Sequence, residues 1–270
     1  MKNTATYQKK IVTDIITKDD IVQRLKAMGI QNGSFVYVQA ALNSFGYVVG
    51  GSQAIIEALM EVVGYEGTIL MPTFTQNIID PASLSNTRIE REDWNLIRDN
   101  MLPYDKKLST PFHMGEVSVQ FIKNDAVLRS AHPNFSFAAW GKYAKILCEK
   151  HALHFGLSQE SPLGKLFDMN GFILLLGIPM ESCFAMYFAQ YDNAKIPLKI
   201  LSSPVNSRSF TVWKDMIDLD FNNDGFKEVG EILEGRHLMK TDYIGNAVCR
   251  FFSFREAVKI ARAYYNIDNM

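Results

Sequence analysis

Three acidic side chains lie close together in the stretch IEREDW, where Glu90, Glu92 and Asp93 precede the aromatic Trp94. Carboxylates at this spacing can bind an amino group, hold it in position and accept its proton. Asp93, beside the tryptophan, is the first candidate, and Glu90, one helical turn earlier, is the second. The alternative is a solvated face of a surface helix, because runs of charge usually face water.

Two of the five histidines have neighbours that suggest chemistry. His132 lies between small residues and before a proline, so its ring can be held in one orientation and act as a base or a hydrogen-bond donor. The alternative is a structural histidine that bonds the backbone around the turn. His154, in LHFG, is the other candidate. The remaining three have no supporting context and are interpreted as exposed or structural.

The sequence shows no activated nucleophile and no metal site. Cys148, Cys183 and Cys249 are widely spread and do not form a CxxC pair, which favours reduced, buried thiols over disulfides or zinc ligands. No serine lies in a G-x-S-x-G turn. We therefore expect neither a covalent enzyme intermediate nor a bound metal.

The stretch from residue 34 to residue 74 indicates the element that positions these groups. Residues 35–38 and 68–71 have the apolar composition of buried strands, and residues 52–63 between them have helical spacing, with Ser52 as a plausible N-cap. Strand, helix and strand form one βαβ unit, whose crossover should be right-handed. Ligands of such units bind beyond the carboxyl ends of the strands, where residues 39–51 and 73–80 would lie.

The long polar segment 76–112 separates this unit from the next elements. A loop of this length in a compact domain is usually functional or disordered, and its apolar residues around Trp94 predict a short helix that docks. Because Ser83 and Ser85 precede the acidic cluster in the same segment, we expect both serines and Trp94 to contact a substrate.

Further elements follow from spacing and composition. Helices are predicted at residues 17–28 (with Thr17 as the N-cap), 114–123, 142–149, 161–167 and 182–193, and a strand at residues 172–176. Residues 128–141 are small, aromatic and turn-rich. From residue 198 onward the pattern predicts an antiparallel strand at 202–216, a helix at 226–233, a strand at 248–252 and a helix at 253–265 capped by Ser253.

These elements predict an α/β fold with a mixed sheet flanked by helices. We expect one domain over residues 1–270, with a core at about 1–197 and a C-terminal antiparallel or mixed addition to the same sheet at about 198–270.

Composition excludes several classes of partner. The net charge of −1 and the lack of a long basic run argue against nucleic acid. The first residues lack the apolar region of a signal peptide, and the longest apolar run, residues 171–180, is about half of what a membrane span needs. We therefore expect a cytoplasmic protein that binds small-molecule substrates and is either a monomer or a homodimer.

Several motifs, in order along nearly the whole chain, carry a family resemblance. They are VQAALNSFGYVVGGSQAIIEAL, GTILMPTF, RSAHPNFSFAAWG, SPLGKLF, GFILLLGIP and the late YIGNA. Together they resemble the antibiotic N-acetyltransferase family, whose namesakes are the aminoglycoside 3-N-acetyltransferases. The resemblance implies an enzyme with acyl-coenzyme A as co-substrate and no permanently bound cofactor, which transfers an acyl group to a sugar amine without a metal.

The resemblance also implies binding residues for coenzyme A. Without a Walker-type lysine, its phosphates would be met by backbone N–H groups and hydroxyls. These are expected from the turn of Ala41, Leu42, Asn43, Ser44 and Gly46, and from Thr110, Ser130 and Ser136. His154 lies where some relatives have a catalytic histidine and others an aspartate.

Two motifs depart from the family. Its His-Ser-Ser is replaced by Gln39-Ala40-Ala41, and its H-x-A-E, near the amine site, by Tyr187-Phe188-Ala189-Gln190. The second exchange removes a carboxylate that a polycationic aminoglycoside would need. Tyr187 is either a core aromatic or a hydroxyl that faces the sugar or its nucleotide.

These departures favour a nucleotide-linked amino sugar as the acceptor. The chain is most similar to the branch that acylates dTDP-4-amino-4,6-dideoxyglucose for anthrose, with an acetyl or 3-hydroxybutyryl donor. Aminoglycoside 3-N-acetylation is the alternative within the same class. A non-catalytic relative that binds a nucleotide or acyl-coenzyme A is the alternative of another class.

Overall fold

The structure, a computed structural model, describes residues 15–84, 87–207 and 210–267. Its strands are β1 (Ile15–Ile16), β2 (Phe35–Ala40), β3 (Tyr47–Val48), β4 (Thr68–Pro72), β5 (Leu128–Arg129), β6 (Phe137–Gly141), β7 (Phe172–Leu176), β8 (Leu198–Ser207), β9 (Phe210–Leu219), β10 (Met239–Ile244) and β11 (Ala247–Ser253). Its α-helices are α1 (Lys18–Ala27), α2 (Gly51–Val63), α3 (Trp94–Asn100), α4 (Gly115–Phe121), α5 (Ala144–Glu149), α6 (Pro162–Asp168), α7 (Tyr187–Gln190), α8 (Phe226–Gly235) and α9 (Phe254–Ile267).

The predicted βαβ unit forms the centre of a mixed sheet with the strand order β10-β11-β7-β2-β4-β6-β5. Strands β2 and β4 pair in parallel, with Tyr37 opposite Leu70, and β7 pairs in parallel with the other side of β2. All three strands are apolar because helices cover both faces of the sheet. The predicted mixed α/β fold is therefore confirmed.

Alternation along β2 divides the core into two layers. Val36 and Val38 pack with apolar residues of α1, α2 and α4 on one face. Tyr37, between them, points to the other face and packs with residues of α5, α6 and α9. The helices therefore fix the orientation of each strand and of the loops that leave it.

The N-cap predicted for α1 is confirmed, and the one predicted for α2 is not. Thr17 caps α1 in a capping box with Asp20, which holds the helix start in place. Ser52 does not cap α2, which begins one residue earlier at Gly51. Gly50 precedes it with a φ of 84° and has no side chain to offer, so the predicted cap is wrong.

Residues 128–141 contain two strands in a segment that the sequence analysis described as turn-rich and to which it assigned no strand. β6 pairs antiparallel with β4, and β5 pairs antiparallel with β6. Ala138 and Ala139 have low strand propensity, but both are fully buried against the helices. Tertiary packing therefore decides their conformation.

The C-terminal part only partly follows its prediction. β11 pairs antiparallel with β7 and β10 with β11, so the expected addition to the sheet is confirmed. Strands β8 and β9, however, pair with each other in a two-stranded sheet of their own, from Leu198 opposite Leu219 to Ser207 opposite Phe210, and β8 adds one isolated bridge from Val205 to Tyr104. They form a separate hairpin, which corrects the prediction for that segment. The boundary at about residue 198 stays a prediction.

The segment predicted as one helix at 182–193 is helical in short pieces up to Gln190 and non-helical after it. Two 3₁₀ turns, Met180–Ser182 and Phe184–Met186, precede the short α7. The side chain of Gln39, from β2, bonds the backbone at Ser182 and Phe184, and these bonds replace helical hydrogen bonds.

None of the helices in the described ranges combines the length and the apolar character that a membrane span requires.

Candidate active site

Three parallel strands, β2, β4 and β7, end at the same edge of the sheet. The segments that follow them are residues 41–50, 73–84 and 177–186. In open α/β sheets, ligands bind outside the carboxyl ends of such strands. We call this region the carboxyl edge and treat it as the candidate active site.

Gln39, near the end of β2, ties this strand to the segment that follows β7. Its Oε1 accepts hydrogen bonds from the Tyr37 hydroxyl (2.6 Å) and the Phe184 N–H (2.8 Å), and its Nε2 donates to the Ser182 carbonyl (3.0 Å). The side chain is buried, so these bonds are shielded from water. Gln39 therefore fixes the position of the chain that leads into α7.

Aromatic rings line the carboxyl edge. Phe74, just after β4, lies 5.5 Å from the ring of Phe184, which stacks on Tyr187 at 6.1 Å. The Tyr187 ring also contacts Phe221 at 4.9 Å. Burial raises the pKa of the Tyr187 phenol, so its hydroxyl stays protonated and can donate a hydrogen bond rather than act as a base.

The turn after β2 keeps some backbone donors for a ligand. The Ala41 N–H donates to Leu176 and the Ser44 N–H to Ala41, and the Ser44 hydroxyl also donates to the Ala41 carbonyl (2.7 Å). The N–H groups of Leu42 and Asn43 have no backbone acceptor in the described ranges. The turn can therefore offer two N–H donors, while its serine hydroxyl is already used.

Two of the three hydroxyls expected at coenzyme A are fully buried. The Ser136 hydroxyl donates to the Thr73 carbonyl (2.7 Å), and the Ser130 oxygen accepts from the Phe137 N–H (2.9 Å). The structure gives both serines a structural role and does not support direct contact with a ligand. Thr110, by contrast, is exposed and lines two surface recesses.

His132 is a structural histidine in this fold. Its Nδ1 accepts from the N–H groups of Asn134 (3.1 Å) and Phe135 (3.0 Å), so Nε2 carries the proton and donates to the Leu153 carbonyl (3.1 Å). Burial, with the nearby His151, lowers its pKa well below the usual range. With both nitrogens engaged, His132 does not fit the predicted role of base or substrate donor.

His151, which the sequence left without a role, packs beside it. The two rings are 4.8 Å apart, and His151 donates to the Gly156 carbonyl (2.6 Å) and accepts from the Ser130 hydroxyl (2.9 Å). Burial lowers the pKa of His151 from 6.5 to about 4. Both imidazoles are therefore neutral in the folded protein at neutral pH.

Because the imidazoles of His132 and His151 are neutral in the folded protein, we expect the protein to lose stability in mild acid. The unfolded chain protonates His151 at a pKa of about 6.5 and the folded chain only at about 4, so the unfolded state binds more protons in between. The free energy of unfolding should thus be unaffected above about pH 7 and should fall by about 3 kcal/mol on account of His151 as the pH drops from about 6.5 to about 4. The lowered pKa of His132 adds a loss in the same direction.

Denaturant titrations of wild type and His151→Gln at several pH values measure this effect. The variant should lose less stability on acidification than wild type, because one of the two buried imidazoles is gone. Equal acid losses in both proteins would contradict the assignment.

A buried carboxylate, which sequence reasoning missed, holds the loop that carries His154. Asp218 accepts from the Gly156 N–H (2.7 Å) and the Tyr191 hydroxyl (2.6 Å), and burial raises its pKa. His154 itself is exposed, and its Nδ1 accepts from the Ile217 N–H (3.1 Å). Asp218 occupies an inward position of strand β9, in which buried and exposed residues alternate near its end. This alternation in the sequence could have identified Asp218 as a buried carboxylate.

The acidic cluster lies on an exposed 3₁₀ turn before α3. Its segment docks on the β8–β9 hairpin: the Asp80 N–H donates to Ser202, and the Ser83 oxygen accepts from the Ser202 N–H. Among the described contacts, none joins Asp93 or Glu90 to the carboxyl edge. Their role in binding the amine stays a prediction.

The other predicted substrate-binding residues of this segment are Trp94, which has local partners, and Ser85. The Trp94 indole N–H donates to the Ile89 carbonyl (3.1 Å), and the guanidinium groups of Arg91 and Arg98 lie 5.5 Å and 5.8 Å from the centre of its ring. Arg98 in turn forms a two-point ion pair with Asp80, which anchors α3. Ser85 lies outside the described residues.

Gln190 does not line an open site. Its side chain is fully buried, and its amide donates to the Asn222 carbonyl (2.7 Å). A neutral residue here is therefore a feature of the core, which weakens the electrostatic argument against aminoglycosides drawn from the sequence.

The described residues offer no activated thiol. Burial raises the pKa of Cys148, Cys183 and Cys249 to about 12, so each stays a protonated thiol. Groups of three or more histidine, cysteine or acidic side chains that could hold a metal are also absent from the ranges that the structure describes.

Comparison with known proteins identifies the class. Residues 37–266 match the family model of the aminoglycoside 3-N-acetyltransferases. The chain belongs to this family and is an N-acyltransferase with acyl-coenzyme A as co-substrate.

Three relatives illustrate the match. The SPbeta prophage-derived aminoglycoside N(3')-acetyltransferase-like protein YokD of Bacillus subtilis (strain 168) is 39% identical over 264 residues, 95% of this chain and 96% of its own. Its crystal structure superposes with a TM-score of 0.91 over 96% of each chain. Aminoglycoside acetyltransferase AAC(3)-Xa matches with a TM-score of 0.85 and 25% identity over 93% of this chain and 92% of its own. AAC-IIIb, solved with CoASH, shares the fold with a TM-score of 0.84 and 22% identity over 94% and 98%.

Proposed function

We propose that this enzyme transfers an acetyl group from acetyl-coenzyme A to a primary amine of an aminoglycoside-type amino sugar. The observation that carries this proposal is the 39% identity, over nearly the full length of both chains, to a relative named as an aminoglycoside N(3')-acetyltransferase-like protein. The carboxyl edge supplies a site of matching character, with aromatic walls and free backbone donors.

The proposed reaction is direct attack of the amine on the thioester. The amine nitrogen bonds to the acyl carbon, the sulfur leaves as the thiol of coenzyme A, and the amine loses one proton. The N–H groups of Leu42 and Asn43, or the hydroxyl of Tyr187, can stabilise the negative charge that develops on the acyl oxygen. The buried cysteines make an acyl-enzyme on sulfur unfavourable, because each thiol stays protonated.

A nucleotide-linked amino sugar of the dTDP-4-amino-4,6-dideoxyglucose type is the second candidate acceptor. Tyr187 replaces the histidine of the family motif, and its ring forms an aromatic surface with Phe184 and Phe221 on which a base can stack. We place this acceptor second because Gln190 is buried and therefore does not bear on the charge of the acceptor.

A thiol-release assay with acetyl-coenzyme A tests these alternatives in one experiment. Turnover with kanamycin-type amines supports the first acceptor. Turnover only with the dTDP-linked amino sugar, competed by free dTDP, would replace it with the second. No thiol release with either would contradict the catalytic proposal and favour a protein that only binds its ligands.

Asp93→Asn tests the acidic cluster. An exposed carboxylate is suited to attracting a cationic acceptor, and it is less suited to proton transfer within a dry site. We therefore expect the KM for the amine to rise by about 3- to 10-fold with little change in kcat.

Glu90→Gln serves as the matched change and should have a smaller effect. A fall in kcat of about 100-fold at unchanged KM would instead assign Asp93 as the general base.

A further inference from the structure

The loop that follows β9 has the residue pattern of a calcium-binding loop. Residues 220–231 read DFNNDGFKEVGE, which matches the pattern D-x-[DN]-x-[DN]-G-x₅-E at every fixed position. In such loops the first, third and fifth residues, here Asp220, Asn222 and Asp224, supply oxygens to one Ca²⁺. We call residues 220–225 the β9–α8 loop. Its sequence predicts a site for a cation that prefers oxygen ligands.

The glycine at the sixth position of the pattern has the conformation that a sharp turn requires. Gly225 has a φ of 80° and directly precedes α8, so the chain changes direction between the loop and the helix. Gly225 is buried, whereas the three residues with ligand oxygens are exposed. The fold therefore fixes the turn and leaves the oxygens of the loop accessible to an ion.

A buried side chain from α7 brings a further oxygen to this loop. The amide of Gln190 is directed at Asn222: its Nε2 donates to the Asn222 carbonyl (2.7 Å) and lies 3.3 Å from the Asn222 Oδ1. The Gln190 side chain is fully buried, and its Oε1 has no hydrogen-bond partner in the ranges that the structure describes. A buried oxygen without a partner costs free energy, which a cation bound at the loop would offset.

The two carboxylates of the β9–α8 loop balance the charge of one divalent cation. Asp224 has no cationic side chain within 4.0 Å in the described part of the chain. Asp220 pairs with Lys199 through Oδ1 (3.1 Å), which leaves its other oxygen for an ion. The Asn222 Oδ1 accepts from the Asp224 N–H (3.1 Å), and an ion would replace only its longer contact with Gln190.

We propose that the protein binds one Ca²⁺ through side-chain oxygens of four residues, Asp220, Asn222, Asp224 and Gln190. This set contains two carboxylates and two amides, so it differs from the groups of three or more histidine, cysteine or acidic side chains that the described ranges lack. The sequence argument against a metal concerned cysteine ligands and does not bear on a site made of oxygens. Calcium accepts such irregular sets of six to eight oxygens, completed by carbonyls and water, whereas Mg²⁺ demands a nearly ideal octahedron.

The proposed site differs from a complete loop of this pattern in its last ligand. Glu231, at the twelfth position, lies more than one turn into α8 and pairs with Lys227 (3.8 Å). The buried amide of Gln190 takes its place. Because an amide carries no charge, we expect a Kd for Ca²⁺ of about 10⁻⁴ to 10⁻³ M, at the weak end for such loops.

The ion would fix one wall of the carboxyl edge. Phe221, which lies between two of the ligand residues, packs its ring 4.9 Å from the Tyr187 ring and 5.7 Å from the Tyr191 ring. Gln190 belongs to α7, the same helix as Tyr187. A bound Ca²⁺ would therefore join the β9–α8 loop to α7 and hold Phe221 against Tyr187.

Calorimetric titration of the EGTA-treated protein with CaCl₂ and with MgCl₂ measures binding without turnover. We expect one Ca²⁺ per chain, bound at least about 10-fold more tightly than Mg²⁺. Asp224→Asn should weaken Ca²⁺ binding by about 10-fold or more, because it removes a charge, and Gln190→Met by about 3- to 10-fold, because it removes a neutral oxygen. Asp215→Asn, which removes an exposed carboxylate of β9 outside the loop, is the matched control and should leave binding unchanged.

Gln190→Glu distinguishes a ligand from a residue that only packs. A buried carboxylate without a partner should lower the Tm in EGTA. As a ligand, the same carboxylate should tighten Ca²⁺ binding by about 10-fold, so that CaCl₂ restores the Tm. A lower Tm that CaCl₂ does not restore would show that Gln190 is not a ligand and would overturn the proposed set.

Hydrogen exchange locates the ion in the wild-type protein. Ca²⁺ should slow amide exchange in residues 220–225 of wild type and should have no effect there in Asp224→Asn. Absence of binding at about 10 mM CaCl₂, or equal affinities for Ca²⁺ and Mg²⁺, would overturn the proposal. Binding that neither Asp224→Asn nor Gln190→Met weakens would do the same. Because each of these measurements is made without turnover, the outcome is independent of the proposed function.

Discussion

Replacing Gln39 with leucine should reduce kcat/KM by about 100-fold or more, because a displacement of about 1 Å at a reacting centre has consequences of this size. The leucine has a similar volume but cannot bond the Ser182 carbonyl or the Phe184 N–H. The chain that leads to Tyr187 would lose its attachment to β2. Steady-state kinetics with acetyl-coenzyme A and the acceptor that the thiol-release assay selects measures the loss.

The same change should lower the free energy of unfolding by about 2–4 kcal/mol. Most of this comes from the Tyr37 hydroxyl, which is fully buried and bonds Gln39 at 2.6 Å. A buried donor without an acceptor is costly, whereas removing both partners is nearly neutral.

The double variant Gln39→Leu/Tyr37→Phe separates the two effects. It should regain part of the stability, because the unpaired hydroxyl is gone, but none of the activity, because residues 182–184 remain detached from β2. Recovery of activity in the double variant would show that Gln39 acts only through the stability of the fold. Wild-type activity in Gln39→Leu would remove the carboxyl edge as the active site.

Gly177→Ala should destabilise the protein by about 2–5 kcal/mol, the sum of a left-handed backbone penalty and overpacking. Gly177 follows β7 with a φ of 68°. A β-carbon there would lie 1.6 Å from the Ser44 hydroxyl oxygen and 2.5 Å from its β-carbon, so the turn after β2 would have to move. Urea denaturation monitored by circular dichroism measures the change.

Two further variants divide this loss into its causes. Gly33→Ala has a similar φ of 86° but no heavy atom within 4 Å of the new β-carbon, so it reports the backbone penalty alone. Ser44→Gly in the Gly177→Ala background removes the clash and should leave a loss close to that of Gly33→Ala. If it leaves the full loss instead, contact with the turn after β2 is not the cause.

Gln39 shows which features of the active site the sequence reveals and which depend on the fold. The replacement of the family's His-Ser-Ser by Gln39-Ala40-Ala41 is visible in the sequence, but the partners of Gln39 at Ser182 and Phe184 are more than 140 residues away. Contacts at such separations depend on strand order and register, which local spacing does not contain.

The structure does not support several predicted site residues, because their polar side chains are hydrogen-bonded within the protein. His132, Ser130 and Ser136 have residue types that suit chemistry, yet each is buried with its hydrogen bonds satisfied within the protein. Gln190 is also buried, and its Nε2 donates to the Asn222 carbonyl, whereas its Oε1 has no hydrogen-bond partner among the described residues. Residue type indicates what a side chain can do, while its neighbours in space decide whether a ligand can reach it.

The sequence by itself determined the βαβ unit, the buried parallel strands, the capped first helix and the short helix that begins at Trp94, because periodicity, caps and turn residues act over a few positions. Only the tertiary structure decided that β8 and β9 form a separate hairpin, that residues 137–141 join the sheet and that Asp218 holds the loop of His154. These outcomes follow from packing between distant segments, where burial and hydrogen bonding outweigh local propensity.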